Sequence, residues 1–308
     1  MTSVAILEIG GCLASSAALS HDMLATANRL APSGRAPFQV RAVQCGPRRA
    51  SGDLHGADLV IVPGLGMPAV DDLAGTLAGA ACRRAGGMLV DAHSRGAALA
   101  ASCASTFVLA QAGLLDGRRA TTSWWLAPQF RQRYPQVELV PEQVVVADWP
   151  IATGGAALAH MDLMLAVVAR FASPAVAKTC ARFLLLDERR SQAPFMAVTY
   201  LAGQDPALAK AETWVRQHIA RDFAMEELAA AVALGPRTFA RRLAATCGLS
   251  PIQFVQRIRL ETAQHLLATT RLPLEQIAQS VGYADASTLR RLIRRDTQRT
   301  PAHFRSAR

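Results

Sequence analysis

Toward the C-terminus, apolar residues recur at helical spacing in a pattern that is written twice. The segment Glu227-Leu-Ala-Ala-Ala-Val-Ala-Leu returns as Gln276-Ile-Ala-Gln-Ser-Val-Gly-Tyr, so that Leu228, Ala229, Val232 and Leu234 recur 49 positions later as Ile277, Ala278, Val281 and Tyr283. After a one-residue slip the offset is 50, and Phe239, Arg241, Leu243 and Pro251 return as Leu289, Arg291, Ile293 and Pro301. Each copy predicts a helix, a tight turn and a second helix. In the first, the small Ala229 lets two helices approach, Gly235 is expected to relieve the backbone at the turn, and Pro236 opens the next helix, where its missing N–H costs nothing. Phe239 and Leu243, four apart, give that helix its buried face. In the second copy Gly282 occupies the turn, Asp285 is placed to cap, and a helix from Ser287 to Asp296 buries Leu289 and Ile293. Between the copies, Pro251–Thr269 is rich in helix formers, with Phe254, Ile258, Leu260, Ala263, Leu266 and Leu267 near helical spacing. Two units are too few for a solenoid.

The first two-thirds alternates strand and helix signals. Val4–Ile9, Phe38–Val43, Asp58–Val62, Ala97–Ser102, Val137–Val140, Gln143–Val146 and Ile151–Thr153 predict strands. Ala14–Leu30, Met88–Ser94, Thr106–Ala112, Met161–Phe171 and Ala175–Leu186 predict helices. Such alternation implies a parallel sheet covered on both faces, with ligands at the carboxyl ends of its strands. Asp187–Lys210, with Pro194, Gly203 and Pro206, reads as a linker. The expected domains are therefore residues 1–188, a linker over 189–209, and residues 210–308.

The polar faces of the repeated helices carry chemistry. Arg237, Thr238, Arg241 and Arg242 lie opposite the apolar stripe of the first; Arg290, Arg291, Arg294 and Arg295 do so in the second. Short basic helices after a tight turn suit the major groove of DNA, where arginine meets guanine edges or phosphates. A 19-residue helix between them spans roughly 28 Å, against roughly 34 Å for one turn of duplex. Both recognition helices can thus reach successive major-groove segments on one face.

Charge supports this placement. The net charge is +10, but residues 1–210 hold 18 basic and 15 acidic side chains while residues 211–308 hold 15 and 8. A GC-rich coding sequence would also favour arginine; it would not concentrate the excess in the last third. No 18-residue apolar run and no basic, then hydrophobic, N-terminal pattern is present, so neither a membrane span nor a secretory signal is expected and the chain reads as cytoplasmic. Six cysteines form no C-x-x-C pair and have no histidine spaced for zinc, which predicts buried thiols and no metal or cofactor.

The C-terminal hundred residues resemble the AraC/XylS family of bacterial transcription regulators, through the paired motifs, Gly248-Leu-Ser-Pro-Ile-Gln-Phe-Val-Gln-Arg-Ile-Arg-Leu-Glu-Thr-Ala, Gly282-Tyr283 and Thr300-Pro-Ala-His-Phe-Arg305. The N-terminal part is similar to the PfpI/class I glutamine amidotransferase-like domain, through Val62-Pro-Gly-Leu-Gly66, Cys103-Ala-Ser-Thr-Phe-Val-Leu-Ala and Ala112-Gly-Leu-Leu-Asp-Gly-Arg-Arg-Ala-Thr-Thr. The resemblance implies a flavodoxin-like parallel sheet covered by helices, followed by an all-α double helix-turn-helix domain. It places Cys103 on a sharp strand-to-helix elbow. Two departures remove the enzyme's activating groups, the expected histidine being Ser123 and the acidic residue after the first strand Ser15 or a neighbour, and a third puts Ser105 where a glycine two residues past the cysteine would ease the elbow. In the second repeat, Leu289 and Ile293 stand where the family commonly has Phe, and Gln298 where it has Gly.

By position, Arg237, Ala240 and Arg241, with Ser287, Thr288, Arg290 and Arg291, become the candidates for base edges, and Arg290, Arg294 and Arg295 for phosphates. Gly64, Leu65, Gly66, Met67, Cys103, Ser123 and Trp124 or Trp125 become the wall of an effector pocket. The resulting expectation is a regulator, an activator, that binds double-stranded DNA as a homodimer, contacts RNA polymerase and answers to a small-molecule effector through a catalytically degenerate domain. The rival is a Cys103-dependent hydrolase or isomerase with a regulatory DNA-binding domain, in which His93 or His160 would have to reach the sulfur. A third reading is an architectural DNA binder whose affinity ignores every metabolite.

Overall fold

Apolar runs without alternation suit strands buried on both faces, and the first unit is built on them. In a computed structural model that describes residues 1–32, 34–66, 73–187, 189, 191–297 and 299–305, the chain forms two compact units, Met1–Ala193 and Pro194–Arg308. In the first, β1 (Thr2–Ile9), α1 (Ala14–Leu30), β2 (Phe38–Cys45), β3 (Leu59–Leu65), α2 (Leu73–Ala78), α3 (Ala80–Ser94), β4 (Ala98–Cys103) and α4 (Thr106–Gln111) are followed by β5 (Arg119–Ala120), α5 (Ala127–Arg133), β6 (Glu138–Leu139), β7 (Val145–Asp148), β8 (Ile151–Gly154), α6 (Ala159–Phe171) and α7 (Pro174–Phe183). The main sheet runs β2-β1-β3-β4-β8-β7. All its pairings are parallel except β7 with β8. This is the flavodoxin-like order with one antiparallel strand added at the edge.

Strand alternation sorts the core into two layers. Ala5, Leu7, Ile9, Val60, Val62, Leu99 and Ala101 pack with α2 to α5, whereas Val4, Ile6, Leu59, Ile61, Ala98 and Ala100 pack with α1, α6 and α7. Five cysteines are buried free thiols, and Cys12 is half-buried.

Three departures from expectation have local causes. The strands expected over 137–140 and 143–146 are not further parallel members. The first becomes β6, paired with β5 in a separate ribbon, and the second becomes β7, joined to β8 by only Trp149 and Pro150, too short a link for the crossover that parallel pairing needs. Helix α3 starts eight residues earlier than predicted, running through Gly86 and Gly87, because Cys82, Ala85, Leu89 and Ala92 give it one buried face along its length. Strand β3 continues past Val62 through Pro63 by a register shift, which is where a proline is tolerated.

The second unit contains α8 (Val198–Ala202), α9 (Pro206–Gln217), α10 (Met225–Ala231), α11 (Pro236–Cys247), α12 (Pro251–Thr269), α13 (Leu274–Ser280), α14 (Ala286–Thr297) and α15 (Pro301–Arg305). Much of the stretch read as a linker is therefore helical: α8 and the start of α9 fall within it, Leu201, Ala202 and Leu208 being buried and Asp205 capping α9 through the N–H groups of Ala207 and Leu208. Helix α12 has the predicted 19 residues, opened by a reciprocal capping box of Ser250 and Gln253. Leu260, Ala263 and Leu267 of α12 pack with Ile277, Ala278, Val281, Leu289, Leu292 and Ile293. Gln298 and Met67 lie outside the described residues. No helix of the described residues is long and apolar enough to cross a membrane.

The two turns solve one backbone problem differently. Gly235 does not relieve the first turn: its φ is −72°, an ordinary extended value, and the left-handed residue is Ala233 at φ 56°. Its repeat counterpart is Gly282, at φ 80°. A Cβ on Gly282 would also lie 2.4 Å from the Ile219 carbonyl oxygen. Left-handed geometry costs an alanine roughly 1–2 kcal/mol, partly offset by the extra chain entropy glycine loses on folding. Ala233→Gly is expected to stabilise the protein by about 0.5 kcal/mol and Gly282→Ala to destabilise it by more than about 2 kcal/mol, read from urea midpoints; equal effects would contradict this account of the turns.

Candidate functional site

Helices α11 and α14 are amphipathic about the predicted axes. Phe239, Leu243 and Cys247 are buried on α11, and Leu289, Leu292 and Ile293 on α14. Arg237 and Arg241 on the first, and Arg290, Arg291, Arg294 and Arg295 on the second, are exposed and form no ion pair with a described residue. Thr238 and Ala240 are half-buried beside them. Arg242 differs, because its Nε lies 3.4 Å from Oδ2 of Asp205 and so ties α11 to the start of α9. Asp285 is the cap the sequence suggested, accepting from the Thr288 N–H at 2.8 Å, from the Thr288 hydroxyl at 3.0 Å and from the Ser287 hydroxyl. These bonds, that from Ser287 foremost, hold its carboxyl down at about 2. Ser287 and Thr288 thus begin with their hydroxyls turned to their own cap.

Helix α12 fixes both copies. Arg257 Nη1 meets Asp296 Oδ2 of α14 at 2.9 Å, both side chains being largely buried. Arg259 donates to the Gly282 carbonyl at 3.1 Å and to the Arg221 carbonyl at 3.0 Å, and its guanidinium lies 5.7 Å from the rings of both Phe223 and Tyr283. One side chain therefore joins the turn of the second copy to the segment preceding the first.

At the carboxyl end of β4 the chain turns sharply at Cys103, whose φ of 55° is rare for a side-chain-bearing residue. Its N–H donates to the Gly155 carbonyl at 2.9 Å, and its own carbonyl accepts from the hydroxyls of Thr106 at 2.8 Å and Thr122 at 3.0 Å. The Ser123 hydroxyl donates to Sγ at 3.0 Å. Gly64 closes the other side, where an added Cβ would stand 3.0 Å from Cβ of Cys103, and Leu65 pairs in register with Cys103. Gly66 packs against the Gly11 carbonyl, and Trp124 follows in a short 3₁₀ turn with Trp125, the rings meeting edge to face at 5.4 Å. The fold thus gathers Gly64, Leu65, Gly66, Cys103, Ser123 and Trp124 at one strand end. Ser105 needs no glycine, since its φ is −66°, and its hydroxyl holds the Pro63 carbonyl at 2.5 Å.

The Cys103 thiol is buried at the elbow. Burial pushes the Cys103 thiol up from its ordinary range, against the weaker pull of the Ser123 hydroxyl and the Ala104 N–H. His160 serves the other face of the sheet. Its Nδ1 meets Ser102 Oγ at 2.9 Å and its Nε2 meets Ser20 Oγ at 2.7 Å. Nδ1 of His93 lies 3.1 Å from the Ala97 carbonyl oxygen.

Comparison with known proteins now places both units. Residues 52–170 match the DJ-1/PfpI family and residues 228–307 match a helix-turn-helix domain family of AraC type. The chain joins a DJ-1/PfpI domain to an AraC-type helix-turn-helix domain. It is 28% identical over 202 residues to the HTH-type transcriptional regulator CdhR of Pseudomonas aeruginosa, covering 65% of this chain and 60% of that one. It is 27% identical over 202 residues to the HTH-type transcriptional regulator GlxA of Rhizobium meliloti, covering 65% and 62%. The matches thus span about three-fifths of these relatives' lengths. An AraC family transcriptional regulator structure from Pseudomonas putida aligns with 60% of this chain and all of its own, at 20% identity and a TM-score of 0.46.

Within the first unit, two polar residues escaped the sequence reading. Ser16 is fully buried next to Gly64, and its Oγ has no hydrogen-bond partner among the described residues. Gln192 is buried against the segments that flank the elbow. Ser16 was foreshadowed by the search for an acidic residue after β1; Gln192 gave no signal, lying in a stretch whose composition reads as loop.

The buried His160 has a pH consequence. Desolvation lowers it to about 4 from its ordinary 6.5, so between those values the unfolded chain takes up a proton that the folded chain refuses. Stability should be fully present above pH 6.5 and fall as pH drops toward 4, by roughly 3 kcal/mol from this group. A His160→Gln variant should show a correspondingly flatter pH dependence of its urea midpoint, and an unchanged slope would contradict the assignment.

Proposed function

We propose that the chain is a sequence-specific DNA-binding transcription regulator whose DJ-1/PfpI domain binds a small-molecule effector beside Cys103. The observation that carries the reading is the pair of arginine-bearing helices, α11 and α14, each with an exposed basic face and each packed on the same 19-residue helix. In this reading Arg237, Ala240 and Arg241 of the first copy and Arg290 and Arg291 of the second meet base edges, while Arg294 and Arg295 hold phosphates. Ser287 and Thr288 donate their hydroxyl protons to Asp285 and, without giving up those bonds, can join the readout only as acceptors, so the second copy leans on its arginines for donors. Two modules on one axle multiply weak single contacts through effective concentration. The protein acts in the cytoplasm as an activator, pairs as a homodimer and contacts RNA polymerase when the effector is bound.

The effector is bound rather than turned over in this proposal. A protonated, buried thiol and a serine in the place of a base favour recognition over catalysis. Gly64, Gly66, Ser16, Ser123 and the Trp124 ring supply the backbone access, polar groups and aromatic face such a pocket uses.

Substitution separates base reading from phosphate holding. Arg241→Ala should cost about 1–3 kcal/mol on the preferred duplex and relax the choice at one base position. Arg294→Ala should weaken all duplexes alike and reduce the salt slope by about 1. Titrations by fluorescence anisotropy at several salt concentrations measure both. An Arg241→Ala protein with unchanged affinity and selectivity would overturn the base-reading role.

A further inference from the structure

The segment that leaves the DJ-1/PfpI domain is fastened to the elbow by one side chain. Gln192 is 3% exposed and lies two residues before the second unit begins at Pro194. Its Nε2 donates to the carbonyls of Pro141 at 2.6 Å and Thr122 at 2.9 Å, and stands 3.3 Å from the Gln143 carbonyl and from Thr121 Oγ1. Its Oε1 accepts from the Ala156 N–H at 3.2 Å, and its own N–H donates to the Glu142 carbonyl at 2.8 Å. A Cβ at Gly155 would lie 2.5 Å from Oε1, so the close approach depends on a glycine there.

The residues so clamped are those that hold Cys103. Thr122 presents its carbonyl to Gln192 and its hydroxyl to the Cys103 carbonyl. Ser123, next in the chain, holds Sγ. On the other side Gly155 receives the Cys103 N–H, while the adjacent Ala156 donates to Gln192. An amide nitrogen with two protons faces four oxygens here, two near and two far. A small shift of either flanking segment therefore changes which bonds it makes.

We propose that Gln192 is the positioning residue that passes occupancy of the Cys103 site to the segment leading into the AraC-type domain. This rests on the reading of the elbow as an effector site. A ligand that draws Thr122–Ser123 or Gly155 toward itself removes acceptors or donors from Gln192 and loosens residues 191–193; a ligand that leaves them in place tightens the same segment. Linkage makes the coupling reciprocal: loosening Gln192 must loosen the elbow by the same free energy.

The full-length chain provides the test, read in both directions and without a known effector. Hydrogen–deuterium exchange at the Gln192 amide is compared between wild type and Ser123→Ala, which removes the hydroxyl bonded to Sγ of Cys103. Alkylation of Cys103 by iodoacetamide, followed by peptide mass spectrometry, is compared between wild type and Gln192→Met, which keeps volume and loses the hydrogen bonds. Coupling predicts roughly tenfold faster exchange in the first comparison and a similar rise in alkylation in the second, with the melting temperature of each variant within a few degrees of wild type. Unchanged rates in either direction would overturn the proposal. Should Gln192→Met melt much lower, the Ser123→Ala arm alone decides. A metabolite screen in which nothing binds beside Cys103 would instead sink the effector reading and leave the coupling standing.

Discussion

Parallel strand pairing is the constraint on which the first unit depends. It sends the carboxyl ends of β1, β2, β3, β4 and β8 to one edge, where each chain must leave the sheet and find new partners for its backbone groups. At β4 the departure is the sharpest, and the strain of a left-handed Cys103, of order 1–3 kcal/mol, persists because its N–H and carbonyl are held from both sides. The hydroxyls that hold the carbonyl, from Thr106 and Thr122, belong to two different segments, and the N–H is taken by a third at Gly155. The site is thus assembled by the same bonds that end the strand.

The second unit obeys a similar economy with helices. The second copy lays its apolar stripe on Leu260, Ala263 and Leu267 of α12, and α11 of the first packs on the same helix. Arg257 and Arg259 then remove freedom that apolar contact leaves, one fixing the end of α14 and the other the turn before it. Rigidity matters for recognition because two modules reinforce each other only if their separation matches the duplex.

Much of this was legible in the sequence because periodicity reports burial. The repeat located α10 with α11 and α13 with α14, and the span of α12 followed from its helix formers and apolar spacing, whereas its capping box of Ser250 and Gln253 went unread. The elbow at Cys103 and the glycines at the end of β3 were legible through the resemblance of their motifs. What escaped was set by tertiary accounting. Nothing local distinguishes Ala233 from its neighbours as the left-handed residue; Gly235 looked the better candidate because composition does not show which peptide must turn. The antiparallel β7 followed from a link too short to cross over, and α8 formed within a stretch of mixed polarity because Val198, Leu201 and Ala202 found a core. Gln192 belongs to the same class, a loop residue by composition whose burial comes wholly from partners 36 to 71 positions away.

The central claim is that the two arginine-bearing helices read DNA as a pair, and selection of duplexes by the full-length protein from a random pool at about 150–200 mM salt tests it most directly. The account predicts enrichment of a bipartite sequence, two short preferred segments with centres about one helical turn, 10–10.5 base pairs, apart. Recovery of unenriched duplexes, with binding that disappears as salt rises, would mean that the basic faces hold only phosphates and would contradict it.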